Sequence, residues 1–117
     1  QGQNDPTNIT LHHGDCIIAD NVAHRIAKAL SWRVEIHPPD NPTKRAFCKH
    51  ADLIHPEKPY LERNRDIVDA SEALIATPAE NAELARSGTW STVRYARKKA
   101  IPVYIVFPDG SVRCQTN

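Results

Sequence analysis

The sequence predicts an α/β domain, a mainly parallel sheet with helices on its faces. Three observations predict it. Ile18, Val22, Ile26 and Leu30 recur every four residues, the period of an amphipathic helix. Trp32, Val34 and Ile36 then alternate with Arg33 and Glu35, the period of a strand. Along the chain the two patterns follow one another as strand, helix, strand, loop, helix, strand, helix, strand, the order of crossover connections between parallel strands.

Each element has its own signal. Residues 1–8 are polar and read as a tail. Residues 9–12 form a short strand that runs into His13-Gly14-Asp15. The helix from Ile18 sets Ala19, Ala23 and Ala27 beside its apolar row, a face suited to close packing on a sheet, with Asp20, Arg25 and Lys28 opposite. A long loop, residues 37–59, holds Pro38, Pro39, Pro42, Pro56 and Pro59, and a loop of that length tends to be functional. Pro59 suits the first turn of a helix over 60–70. Residues 73–76 are a continuous apolar run, as in a strand buried on both faces, and Thr77-Pro78 stops it. Ser87-Gly88-Thr89 opens a helix carrying Trp90, Val93, Ala96 and Ala100 on one face. Residues 101–107 are the last strand, Pro108-Asp109-Gly110 is a turn, and 111–117 read as a tail.

Composition bounds the function. A chain of 117 residues is expected to form one domain, 1–117. With 25% charged and 40% hydrophobic residues it reads as globular rather than disordered. Fifteen Lys+Arg against fourteen Asp+Glu leave a net charge of +1, which gives no general attraction to nucleic acid. No apolar stretch approaches the ~18 residues of a membrane span. Cys16, Cys48 and Cys114 are odd in number and match no zinc or disulfide spacing, so reduced thiols and a cytoplasmic location are expected. The N-terminus has no signal-peptide pattern.

Ligand sites in parallel α/β folds lie beyond the carboxyl ends of the strands. Three groups there carry chemistry. Ser87-Gly88-Thr89 suits a phosphate, with backbone amides at a helix start and two hydroxyls, or it is a plain helix cap. Gly14 permits a sharp turn, and Asp15 or Asp20 suits ribose hydroxyls or capping. In Arg63-Asn64-Arg65, at most two side chains of one helix face a ligand; arginine offers a forked phosphate contact, and the alternative is a solvated face. His12, His13, Asp15 and Cys16 are metal-ligand types, but adjacent strand histidines point to opposite faces, so neither metal nor cofactor is expected. Arg94, Arg97, Lys98 and Lys99 complement a helix C-terminus. The chain contains no GxSxG elbow, P-loop or HExxH, and no catalytic residue is assigned.

The run Leu11-His12-His13-Gly14-Asp15-Cys16-Ile17-Ile18-Ala19-Asp20 resembles the strand–turn–helix of the SLOG superfamily. Tyr60-Leu61-Glu62-Arg63-Asn64-Arg65-Asp66-Ile67-Val68 is similar to its RN-type helix, and residues 69–78 to the strand that follows. Arg86-Ser87-Gly88-Thr89-Trp90-Ser91-Thr92 resembles its glycine–threonine helix start, and residues 101–107 its closing strand. The resemblance implies a Rossmann-like three-layer sandwich that binds a nucleotide or nucleotide-derived ligand at the carboxyl edge of its sheet, to sense or sequester a nucleotide signal in a bacterium or phage. It implies Ser87, Gly88 and Thr89 at phosphate, with Arg63 and Asn64 beside them and Gly14 and Asp15 on the other side; the helix-start amides from Ser87 to Trp90 are expected to receive the phosphate, and Asp15 or Asp20 to address ribose. Thr77 ends a strand on the same edge. His37 or Trp90 is expected to stack on a base, and the loop around Lys44 and Arg45 to close over the ligand.

Two other readings stand beside this one: an N-glycosidase acting on nucleoside monophosphates, as in the LOG phosphoribohydrolases, and a DNA-binding module of the DNA-processing type, which the near-neutral charge disfavours. The LOG pattern PGGxGTxxE is broken, since the double glycine is absent and Thr92 stands at the glutamate; Glu62 or Glu83 are the remaining carboxylates. Nothing before Ile9 supplies the family's usual first strand. A fragment of a longer chain is expected, with a rearranged topology, or a homo-oligomer or partner chain filling the gap, as alternatives.

Overall fold

The computed structural model describes residues 8–115, so the expected tail falls outside the described residues except for Asn8, and 116–117 fall outside as well. Among the described residues the chain is α/β, with three α-helices and two three-stranded sheets. It divides into two compact units, 1–67 and 68–117. No helix among the described residues is long and apolar enough to cross a membrane.

The first unit contains β1 (Thr10–His13), α1 (Ala19–Ala29), β2 (Arg33–Ile36), a 3-10 turn (Pro42–Lys44) and β3 (Leu53–Ile54). The division falls within α2 (Tyr60–Asp69). Its sheet runs β1-β2-β3 and is wholly parallel, with Leu11 opposite Val34, His12 opposite Glu35, and Glu35 opposite Leu53. Strand β3 interrupts the loop read over 37–59, and two residues are too few to show a period. The core is small: Ala27, Val34 and Ile36 are buried, with Leu11, Trp32, Cys48 and Ala51 packed on them.

Helix α1 packs Ala27, from its expected alanine face, into the core but turns its apolar row outward. His24 and Ala27 turn inward, while Ile18, Val22, Ile26 and Leu30 lie outward at 76%, 44%, 54% and 52% exposure. The reason is polar: the His24 ring bonds to His13 and to the Lys49 carbonyl, and this pairing, with the close approach of Ala27, fixes which face meets the sheet. Ile18 precedes the helix at φ 77°, a left-handed conformation that a β-branched residue adopts only under strain. Because its side chain packs little, Ile18→Gly is expected to raise stability by about 1 kcal/mol, read as an upward shift of the urea midpoint at constant slope.

The second unit contains β4 (Leu74–Ala76), α3 (Gly88–Lys98), β5 (Val103–Val106) and β6 (Val112–Gln115), in sheet order β4-β5-β6. Strands β4 and β5 are parallel, while β6 returns antiparallel. Residues 112–115, expected to trail, are therefore a strand. Gly110 at φ 89° and the Asp109 carboxylate, which accepts from the Ser111 amide and hydroxyl, make the turn. Val68, Ala76, Trp90, Val93, Ala96, Val103, Ile105 and Phe107 form the core. Strand β4 is not buried on both faces, since Ile75 is 70% exposed. Strands β1 and β4 are each an outer strand of their own sheet.

Candidate functional site

In the first unit the turn after β1 gathers five of the expected ligand residues: Gly14, Asp15, Asp20, Arg63 and Asn64. Asp20 Oδ2 accepts from the Gly14 and Cys16 amides, so one carboxylate oxygen closes the turn. Asp15 is fully buried, at φ 58°. Its Oδ2 accepts from Arg45 Nε at 2.7 Å and the Phe47 amide at 3.1 Å, and its Oδ1 from the Cys48 amide at 3.0 Å. Its own carbonyl accepts from the Ala46 amide. Burial alone raises its carboxyl, but the hydrogen bonds from Cys48 and Arg45 outweigh it and hold the group below its usual 3.8. Arg45, expected on a closing loop, is thereby tied down to Asp15 and Glu57. Asp15 anchors this loop, and both its carboxylate oxygens are committed to it.

Arg63 is 2% exposed. Its Nη1 donates to the carbonyls of Gly14 and His37, its Nε to Asn64 Oδ1 at 2.8 Å, and its Nη2 to Cys16 Sγ at 3.7 Å. A Cβ at position 14 would stand 2.7 Å from the guanidinium carbon, so Gly14 is there to admit Arg63. Asn64 fixes the arginine. Every partner is neutral, and among the described residues no carboxylate pairs with this cation.

Two histidine clusters flank β1, one on each face, as adjacent strand residues require. On the helix side the Asp15 amide donates to His13 Nδ1 at 2.9 Å. The proton of His13 therefore sits on Nε2, which donates to His24 Nδ1 at 2.9 Å; His24 Nε2 then donates to the Lys49 carbonyl at 2.7 Å. The relay is closed with both rings neutral, and burial lowers the His13 imidazole. Cys48 lies beside it, its thiol pushed up to about 12 chiefly by burial and then by Asp15. On the other face, His12 Nδ1 lies 3.0 Å from His37 Nε2, and His55 Nε2 lies 2.8 Å from Glu35 Oε1. His37 stacks on His55 with ring centroids 4.1 Å apart. Burial, then His55 and His12, lowers His37 to about 4. With its ring between two histidines, His37 is not laid open for a base.

In the second unit Thr77 is exposed just past β4. Ser87 is the N-cap of α3, and its hydroxyl accepts from the Trp90 amide at 3.3 Å. This is the capping role, and it leaves the Gly88 and Thr89 amides as the first-turn donors without a partner among the described residues. The Trp90 ring is a core residue, 1% exposed, and does not offer a stacking face; its indole N–H has no acceptor among the described residues. Glu83 is held by Arg94 at 3.0 Å and Arg97 at 3.1 Å, and these cations keep its carboxyl low, which unfits it as a proton donor.

Sequence reasoning missed Glu35, His55 and Cys48. Their signal was present only as polar residues at strand ends, and His55 could not be placed without β3. Comparisons with family models, curated proteins and solved structures find no match for this chain.

Proposed function

We propose that the protein is a cytoplasmic domain of Rossmann-like, SLOG type that binds a phosphorylated nucleoside or related nucleotide-derived anion, to sense or sequester it. The observation that carries this reading is Arg63, a buried guanidinium surrounded by carbonyls, an amide and a thiol. A buried cation without a counter-ion costs several kcal/mol, and an anionic ligand offsets that cost. Of the five N–H groups of arginine, four have acceptors here, which leaves one on Nη2 for a ligand oxygen. The second oxygen of Asp20 is the atom suited to a ribose hydroxyl, and the Gly88 and Thr89 amides are further anion donors in their own unit.

Thermal melts with nucleosides and with their mono-, di- and triphosphates test the reading. A phosphorylated compound at a hundred times its Kd is expected to stabilise the fold by about 2.7 kcal/mol, with the unphosphorylated nucleoside inert. Equal response to both, or none to either, removes the anion. Chromatography of the same mixtures separates binding from hydrolysis: free base that disappears in Glu62→Gln would make the protein an N-glycosidase instead.

A further inference from the structure

We propose that His12, Glu35 and His37 bind a divalent transition-metal ion of the zinc type, with His55 beside the coordination shell. Parallel register builds the cluster. His12 stands opposite Glu35 across β1 and β2, and Glu35 opposite Leu53 across β2 and β3. His37 and His55 follow Glu35 and Leu53 by two residues, the interval at which a strand returns to the same face. Three adjacent strands thus deliver three imidazoles and a carboxylate to one corner of the sheet, at its carboxyl end.

The spacing suits an ion. His12 Nδ1, His37 Nε2 and Glu35 Oε1 lie within 4.8 Å of one another. The separate distances are 3.0 Å for His12 to His37 and 3.8 Å for His12 to Glu35. Ligands at about 2.0–2.1 Å from a tetrahedral zinc lie roughly 3.3 Å apart, a value these distances bracket. Imidazole nitrogen with one carboxylate suits zinc, cobalt or nickel; calcium and magnesium want oxygen alone. Arg33 Nε holds Glu35 Oε2 at 3.1 Å, so Oε1 is the oxygen turned to the imidazoles. The side chain of His55 is 33% exposed and gives the ion a way in.

Proton positions separate this cluster from its neighbour. His13, His24 and Cys48 also bring ligand atoms within 4.8 Å. There the Asp15 amide occupies His13 Nδ1, which commits the proton to Nε2, the atom that would have to face the ion. Around His12 and His37 no such donor holds the outer ring nitrogens among the described residues. In the ion-free protein one proton lies between His12 Nδ1 and His37 Nε2, 3.0 Å apart; on binding it moves to the outer nitrogen of its own ring, and both inner atoms present lone pairs. His55 keeps its hydrogen bond to Glu35 Oε1; its ring lies parallel to that of His37, centroids 4.1 Å apart, so it supports the carboxylate rather than ligating the ion.

Titrating the metal-stripped full chain with zinc chloride by calorimetry tests this, with circular dichroism to verify that each variant is folded. One ion per chain is expected, bound at micromolar concentration or tighter. Both His12→Ala and Glu35→Gln are expected to weaken it by about tenfold or more, and Cys48→Ser to leave it unchanged. Cobalt in place of zinc is expected to show tetrahedral visible bands without a thiolate charge-transfer band. The proposal is overturned by no binding at millimolar zinc, by a thiolate band, or by binding that survives His12→Ala and is lost in Cys48→Ser. None of these results depends on whether a nucleotide binds.

Discussion

Arg63→Met is expected to destabilise the first unit by about 2–4 kcal/mol, the largest loss from any single side chain outside the apolar core. Methionine keeps much of the volume and removes all the donors. The carbonyls of Gly14 and His37 then lie buried without their arginine partner, at about 1–3 kcal/mol each. Relief of an unneutralised buried cation offsets part of that, which is why the loss stays below the full sum. Urea denaturation with and without a nucleoside phosphate reads both parts. In the wild type the ligand is expected to move the midpoint upward, and in Arg63→Met the midpoint is lower and the ligand moves it little. A normal ligand response in the variant would take Arg63 out of the binding site while leaving its structural role intact.

Asp15→Asn is expected to cost about 3 kcal/mol and to release the loop over 45–48. The carboxylate accepts three hydrogen bonds and pairs with Arg45 from a position with no exposure. An asparagine retains one acceptor oxygen and turns an NH₂ toward donors, leaving the Arg45 charge without its partner. Amide hydrogen exchange at Ala46, Phe47 and Cys48 is expected to quicken well before global unfolding. The same carboxylate governs acid sensitivity. Its folded value lies below 3.8, so the folded chain holds this proton more weakly than the unfolded chain. The stability it contributes is present above 3.8 and is lost as pH falls through the lower folded value. The melting temperature of the wild type is expected to drop over that range, and that of Asp15→Asn to drop less.

The alternation of periods was enough to reach the α/β class, the three helices, and four of the strands in their order. What escaped was set by contacts between distant residues. The apolar row of α1 is genuine, yet His24 pairing with His13 and Lys49 decides which face goes inward, and the apolar spacing along one helix carries no such information. Strand β6 is polar and mostly exposed, so its alternation has no apolar side to display. At the candidate site, the residue types at Gly14, Asp15, Asp20, Arg63 and Asn64 were legible, and the structure does bring them to one turn. Their mutual commitments were not legible: Asp15 serves a loop some thirty residues away, and Ser87 caps its helix. The grouping of His12 with Glu35 and His37 depends on register between strands, which no linear pattern reports.

Gly14 and Arg63 are separated by 49 positions and share one volume. Any methyl at the first would collide with the tip of the second, and that tip, held by four partners, has nowhere to retreat. Mutation must therefore treat the two codons as a single unit: a shorter residue at 63 opens room at 14, whereas a larger residue at 14 is tolerated only after 63 has already been cut back. That fixed order of permitted changes is a historical constraint. Chains descended from a common ancestor with this one should carry it as paired drift, even where every other letter has diverged.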